Sequence, residues 1–257
     1  MPSSRYRLAG LLLHRTEKET GSVTAKRRLT PMRKSLWLCV ILGVLAVTAY
    51  AQHNTLSPRE QRFGWKLLFN GSDLSGWTVA DAPDAWRVQD GTIYCTGKGG
   101  GYLYSNEQYK NFVLRLDFKM SPNANSGVFV RIWDRNDPVN TGMEIQILDS
   151  YGKPNPGKHD CGALYDITPP LKNVARPAGE WNSLSICCRD DSLKVFMNGE
   201  KIIDVKLSEW TEPGKNPDDT PNKFKYAYKE MVKPGYIGLQ NHGHEVWFRN
   251  IKIRPLY

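Results

Sequence analysis

Beyond residue 60 the dominant pattern is alternation with a period of two. In Val128-Phe-Val-Arg-Ile-Trp133 the branched residues Val128, Val130 and Ile132 share one side, and Phe129, Arg131 and Trp133 the other. Met143-Glu-Ile-Gln-Ile-Leu148 puts Ile145 and Ile147 on one face, Glu144 and Gln146 on the other. Ile237-Gly-Leu-Gln-Asn-His242 divides likewise, with Gln240 and His242 opposite Ile237 and Leu239. Further short runs over 65–69, 86–89, 92–95, 112–120, 184–188, 193–197, 201–205 and 245–253 are bounded by turn residues. Asp90-Gly91 and Asn198-Gly199 sit between such runs as two-residue hairpin signals. About ten strands with almost no helical period predict an all-β sandwich or jelly roll over 58–257. One Lys- and Tyr-rich stretch, 222–232, reads as a helical turn on a long loop.

The polar faces carry unusual residue types. A solvated sheet face is the ordinary outcome for an antiparallel sheet, and such faces are rich in Lys, Glu and Thr. Here Arg131 with Trp133, Glu144 with Gln146, and Gln240 with His242 suit a sugar-binding groove, where aromatics stack on pyranose rings and amides and carboxylates hold hydroxyls. The aliphatic faces, Val128, Val130, Ile132, Ile145 and Ile147 among them, predict a core between two sheets.

The charge of +9 first suggests a nucleic-acid partner. Residues 1–51 hold nine Lys or Arg and two acids, so that segment carries +7 and the remainder only +2. The nearly neutral remainder gives no support for nucleic-acid binding. Arg33-Lys34 precede an apolar run, 35–48, and Ala49-Tyr50-Ala51. That order of basic, apolar and small residues predicts a secretory signal peptide cleaved after Ala51. The run is short for a bilayer, which needs about 20 apolar residues, so no stable membrane insertion is expected after cleavage. Residues 52–57 read as a short linker. Cys95, Cys161, Cys187 and Cys188 have no zinc spacing, and export permits disulfides without specifying a pairing.

Seven stretches together carry a family resemblance: Gly64-Trp-Lys-Leu-Leu-Phe-Asn-Gly-Ser-Asp-Leu-Ser-Gly-Trp77, Asn125-Ser-Gly-Val-Phe-Val-Arg131, Glu144-Ile-Gln-Ile-Leu-Asp149, Gly162-Ala-Leu-Tyr-Asp166, Gly179-Glu-Trp-Asn182, Asn198-Gly199, and Gly235-Tyr-Ile-Gly-Leu-Gln-Asn-His-Gly243 with Val246-Trp-Phe-Arg-Asn-Ile251. In this order they resemble the 3-keto-disaccharide hydrolase domain, also described as 3-keto-glucoside 1,2-lyase/2-hydroxy-glucal hydratase. The resemblance runs from about Phe63 to Tyr257. It implies a concanavalin A-like β-sandwich, export from a bacterium to the periplasm or beyond, and a carbohydrate substrate.

The implied chemistry asks for a base near C2, a donor or cation at the C3 oxygen, and an acid for the leaving group. On the residue types, His242 is the leading base, since imidazole titrates near ambient pH. Glu144 or Asp149 is the leaving-group acid or a metal ligand, and Arg131 the enolate or hydroxyl binder. Trp133, Gln146, Tyr165 and Gln240 are the expected substrate contacts, Tyr165 and Asp166 following a Gly/Pro-rich loop over 150–162. The residues point to no certain cofactor. A divalent metal is conceivable if Glu144, Asp149 and His242 converge, where it would polarise the C3 ketone. Two other readings use the same groove. Glu144-x-Gln146-x-x-Asp149 keeps the spacing of laminarinase-type glucanases but lacks their central acid, and a lectin-like module would bind sugar without cleaving it.

Overall fold

The computed structural model describes residues 53–257, so the signal-peptide expectation lies outside the described residues. Thirteen strands follow in chain order: β1 (Lys66–Leu67), β2 (Trp77–Asp81), β3 (Trp86–Gln89), β4 (Thr92–Thr96), β5 (Gly101–Tyr109), β6 (Phe112–Met120), β7 (Asn125–Ile132), β8 (Met143–Leu148), β9 (Asn182–Arg189), β10 (Ser192–Met197), β11 (Glu200–Lys206), β12 (Gly235–Asn241) and β13 (Glu245–Pro255). Two helices are short, α1 (Pro58–Arg62) and α2 (Pro138–Thr141). Among the described residues no helix is long and apolar enough to cross a membrane.

The strands form two antiparallel sheets. The larger runs β11-β10-β9-β6-β13-β4-β3, with β1 also paired to β13, and the smaller runs β2-β5-β12-β7-β8. The expected all-β sandwich is the architecture found. Asp90-Gly91 and Asn198-Gly199 make the anticipated two-residue turns, with Gln89 opposite Thr92 and Met197 opposite Glu200. Leu103, Val128, Val130, Ile145, Ile147, Ile237 and Leu239 of the smaller sheet are buried in one cluster with Leu114, Leu116, Ile186, Val195, Phe248 and Ile253 of the larger. This apolar interior between two sheets is the main source of stability. All four cysteines at 95, 161, 187 and 188 are free.

Two strands were not expected, β2 and β5, and they complete the smaller sheet. Residues 53–57 are also tied down: Asn54 and Asn250 exchange backbone-to-side-chain hydrogen bonds of 2.8 Å each way, fastening the segment before α1 to β13. The Lys- and Tyr-rich stretch supplies one 3₁₀ turn, Tyr228–Met231.

The face assignment fails at Arg131. Along β12 and β7, Tyr236 pairs with Ile132 but Gly238 pairs with Phe129, so two residue steps on one strand face three on the other. Arg131 is the extra residue, at φ +56°. Such a bulge reverses the alternation beyond it. Gly235 is needed there, because a Cβ on it would lie 2.2 Å from the Arg131 carbonyl carbon. Arg131 therefore turns away from the groove and is fully buried. Its Nε donates to the Lys110 carbonyl at 2.7 Å and its Nη2 to Asn111 Oδ1 at 3.2 Å. Ile132 flips the other way and packs with Tyr104 and Phe129 on the outer face, not in the inter-sheet core.

Candidate active site on the outer face of the smaller sheet

Strand register assembles the site in rows. Thr78, Tyr104, Gly238, Phe129 and Glu144 lie across β2, β5, β12, β7 and β8. In the next row, Ala80 faces Tyr102, Tyr102 faces Gln240, and Gly127 faces Gln146. Leu239 pairs with Val128, so Gln240 comes alongside Gly127. Glu144, Gln146 and Gln240 are thus brought together on one face by strands far apart in sequence.

Gly127 explains how. A Cβ there would lie 2.3 Å from Glu144 Oε1, so the carboxyl rests on the bare backbone of Gly127. Any larger residue would displace it. This places the carboxyl in the row of the two glutamines. Gln146 Nε2 donates to Asn125 Oδ1 at 3.0 Å, and Gln240 Nε2 to the Tyr102 hydroxyl at 3.4 Å. The Oε1 atoms of both glutamines are buried without a hydrogen-bond partner. Buried polar atoms are nearly always paired, so two orphaned acceptors beside a carboxyl mark a place where hydroxyl groups fit.

A strap closes the β8 side. The Lys223 backbone N–H donates to Asp166 Oδ2 at 2.8 Å, and the Lys225 N–H donates to Asn140 Oδ1 at 3.2 Å, with Lys225 Nζ 3.0 Å from Asp137. Asp166 also holds Lys158 Nζ and His159 Nε2, each at 2.9 Å. The Lys223 ammonium lies 4.1 Å from the centroid of the Tyr165 ring. Tyr165 donates its backbone N–H to the Glu144 carbonyl at 3.0 Å. Tyr228 of the same strap is buried, its hydroxyl without a partner, and Glu144 and Asp166 add to the burial that raises its pKa far above the phenol range.

Burial is also the main cause at Glu144. It pushes the carboxyl pKa up to about 8, against the opposing pull of Lys223. The folded chain therefore binds a proton at Glu144 that the unfolded chain, with an ordinary value of 4.5, has released. The stabilisation is full below pH 4.5 and is lost as pH rises through about 8. Between pH 5 and pH 9 the wild type is expected to lose on the order of a few kcal/mol relative to Glu144→Gln. Urea midpoints of the two proteins across that range check this. A constant difference between them would contradict the raised pKa.

The remaining expected residues lie elsewhere. His242 is exposed in the bend after β12. It stands four residues beyond Gly238, whose row holds Glu144, and four residues of extended chain span about 13 Å. Asp149 is at the end of β8, where its Oδ2 accepts the Asn123 N–H at 2.9 Å. Trp133 meets Tyr226 edge-on at 5.6 Å, and its ring face is covered by Lys233 at 4.2 Å. Among the described residues no three His, Cys, Asp or Glu side chains group as metal ligands, so Glu144, Asp149 and His242 do not form the conceived metal site. Tyr102, Lys223 and Tyr228 were not anticipated. For Tyr102 the available signal was Gly101-Tyr-Leu-Tyr104, which alternates like the other strands.

Comparison with known proteins finds carbohydrate-active relatives. The chain is 28% identical over 228 residues to a 3-keto-disaccharide hydrolase of Bacteroides thetaiotaomicron, covering 75% of this chain and 79% of the relative. A crystal structure from Parabacteroides distasonis, assigned as a glycosyl hydrolase, superimposes with a TM-score of 0.67 at 33% identity, covering 75% of this chain and 99% of that one. A second from the same organism gives a TM-score of 0.67 at 25% identity, covering 80% and 100%. The profile of the 3-keto-alpha-glucoside-1,2-lyase-like domain matches residues 64–254, which include every strand of both sheets but the last residue of β13. On that match the chain belongs to the 3-keto-alpha-glucoside-1,2-lyase-like domain family.

Proposed function

We propose that the protein cleaves 3-keto-glucosides by elimination and hydration, with Glu144 moving the proton. The observation that carries this reading is Glu144 itself, a buried carboxyl with its pKa pushed up to about 8, on one face with Gln146 and Gln240. A group that titrates near the working pH serves as base and then as acid.

The ketone at C3 acidifies the C2 hydrogen. Ionised Glu144 takes that proton, and the C2–H electron pair becomes the C3 enolate. The enolate expels the C1 substituent, leaving a C1=C2 double bond beside the C3 carbonyl. Protonated Glu144 returns its proton to the departing oxygen. Water then adds across the double bond, oxygen to C1 and hydrogen to C2. Lys223 supplies a cation near the developing enolate. The Oε1 atoms of Gln146 and Gln240 accept sugar hydroxyls, satisfying the two orphaned acceptors. In this reading His242 stands at the end of the groove and Glu144 takes the role first expected of it. Export belongs to the same proposal, supported by the basic and apolar pattern before residue 52.

Turnover in heavy water tests the mechanism. The released 3-keto sugar is expected to carry deuterium at C2, above an enzyme-free control. Product that keeps its original C2 hydrogen throughout turnover would exclude elimination.

A further inference from the structure

We infer that a groove on the outer face of the larger sheet binds an acidic sugar chain, one that carries carboxylates. The groove lies on the opposite side of the sandwich from Glu144. Its volume is about 1600 Å³. A usual small-molecule pocket has roughly 300–1,000 Å³, so the groove has room for an oligomer. Strand parity builds the floor. Leu114, Leu116, Leu184, Ile186, Val195 and Ile253 belong to the inter-sheet core. Arg115, Ser185, Phe196, Lys252 and Arg254 alternate with them along the same strands and face out. Register sets Lys252, Arg115, Ser185 and Phe196 in one row across β13, β6, β9 and β10. Residues of the segment before α1, of α1 itself and Phe63 after it also line the groove.

Charge defines the class. Arg59, Arg115, Lys252 and Arg254 line the groove against two carboxylates, Glu60 and Asp117. Both acids are engaged, Glu60 by Lys252, and Asp117 by Arg249 at 3.4 Å and the Asn250 amide at 2.6 Å. Three guanidiniums are left with no carboxylate partner among the described residues. Arg115 and Arg254 lie against the buried Trp65, 4.7 and 5.6 Å from the centroid of its ring. Such contact covers the flat face of a guanidinium and leaves its N–H edge free. Arg254 stands two residues along β13 from Lys252, the partner of Arg115, so the two are diagonal neighbours about 7–8 Å apart across the sheet. The Arg254 Nε is buried without a hydrogen-bond partner, a rare state for a buried donor. Guanidinium forks take carboxylates two N–H groups at a time.

The rest of the lining suits a sugar as the carrier of those carboxylates. Phe63 is 54% exposed and Phe196 37%. Both line the groove and offer aromatic surface on which a pyranose stacks. Ser183 and Ser185 add hydroxyls. An extended peptide would need a free strand edge for its amides, whereas β13, β6, β9 and β10 are each paired on both sides. A nucleic-acid strand draws its affinity from many phosphate–cation contacts, and residues 52–257 carry only +2.

Calorimetric titration of the full chain with trigalacturonate tests the site. The acid is expected to bind, and its fully methyl-esterified form, which keeps the rings and loses the charge, to bind roughly 10-fold or more weaker. Arg115→Gln should weaken binding of the acid about as much. Ser185→Glu keeps every cation and sets a carboxylate beside Arg115, its pairing partner on β6, where it competes with the ligand. It too should lose roughly 10-fold or more in affinity. Turnover of a 3-keto-glucoside should stay within about twofold of wild type in both variants, since distant sites act independently. Cys187 gives a second readout. It is half-buried in the groove while the other three cysteines are buried, so a thiol reagent labels it first. Trigalacturonate should slow that labelling in the wild type and leave it unchanged in Ser185→Glu. No binding of trigalacturonate, equal affinity for its methyl ester, or full affinity in Ser185→Glu would overturn the proposal. Equally tight binding of a short oligo(dT) or of hexaglutamate would also overturn it, making the groove a site for anions at large.

Discussion

Glu144→Gln is expected to lower kcat/KM on a 3-keto-glucoside by about 10²–10⁴-fold, the usual cost of removing a general base. The substitution is nearly isosteric, so the amide still fills the space over Gly127, and a neutral group there suits the burial better than a carboxylate. The folded protein should be at least as stable as wild type, which separates loss of chemistry from loss of structure. An amide cannot take a proton from carbon at any accessible pH. The wild-type rate should therefore climb as pH rises toward about 8, where the carboxyl ionises, and the variant should lack that rise. Activity of Glu144→Gln within a few-fold of wild type, with the pH dependence intact, would take the proton-transfer role away from Glu144.

What the sequence disclosed followed its periodicity. Strands β6 to β8 and β12 alternate cleanly, and they supplied Glu144, Gln146 and Gln240 on a common face. Strand β5 follows a Gly-rich run, Gly97 to Gly101, whose composition reads as loop, so the Tyr102 and Tyr104 it carries were missed. Arg131 was misplaced for a different reason. One left-handed residue reverses the parity of everything after it, and an arginine gives no sign that it will adopt that conformation. Lys223 and Tyr228 sit on a strap with no period at all, where position is set by tertiary anchors such as Asp166 and Asn140. The dependence on alternation also explains His242. It continues the polar face of β12 in sequence, but the strand ends at Asn241 and the side chain stays exposed.

The unoxidised glucoside is expected to survive while its 3-keto derivative is cleaved, with a rate ratio of at least about 10³, or about 4 kcal/mol in barrier. Without the ketone, a C2 hydrogen flanked by alcohol carbons is far too weak an acid for a carboxylate. Catalysis would then need direct displacement at C1. A retaining glycosidase does this with two carboxyl groups about 5–5.5 Å apart. The middle position of the laminarinase-like spacing is Gln146, and Asp149 is engaged by the Asn123 N–H at the strand end. A second carboxylate that close would itself push the Glu144 pKa up, yet among the described residues burial alone raises it. The face carries one buried carboxyl and two amide acceptors, a set that would suffice for an acidified carbon and falls short for an acetal. Parallel incubations followed by chromatography of the released sugar decide the matter. Comparable release from both substrates would make this protein a glycosidase of the ordinary kind, with a partner carboxylate brought to Glu144 by substrate binding. Release from neither would leave sugar binding as the function of the face.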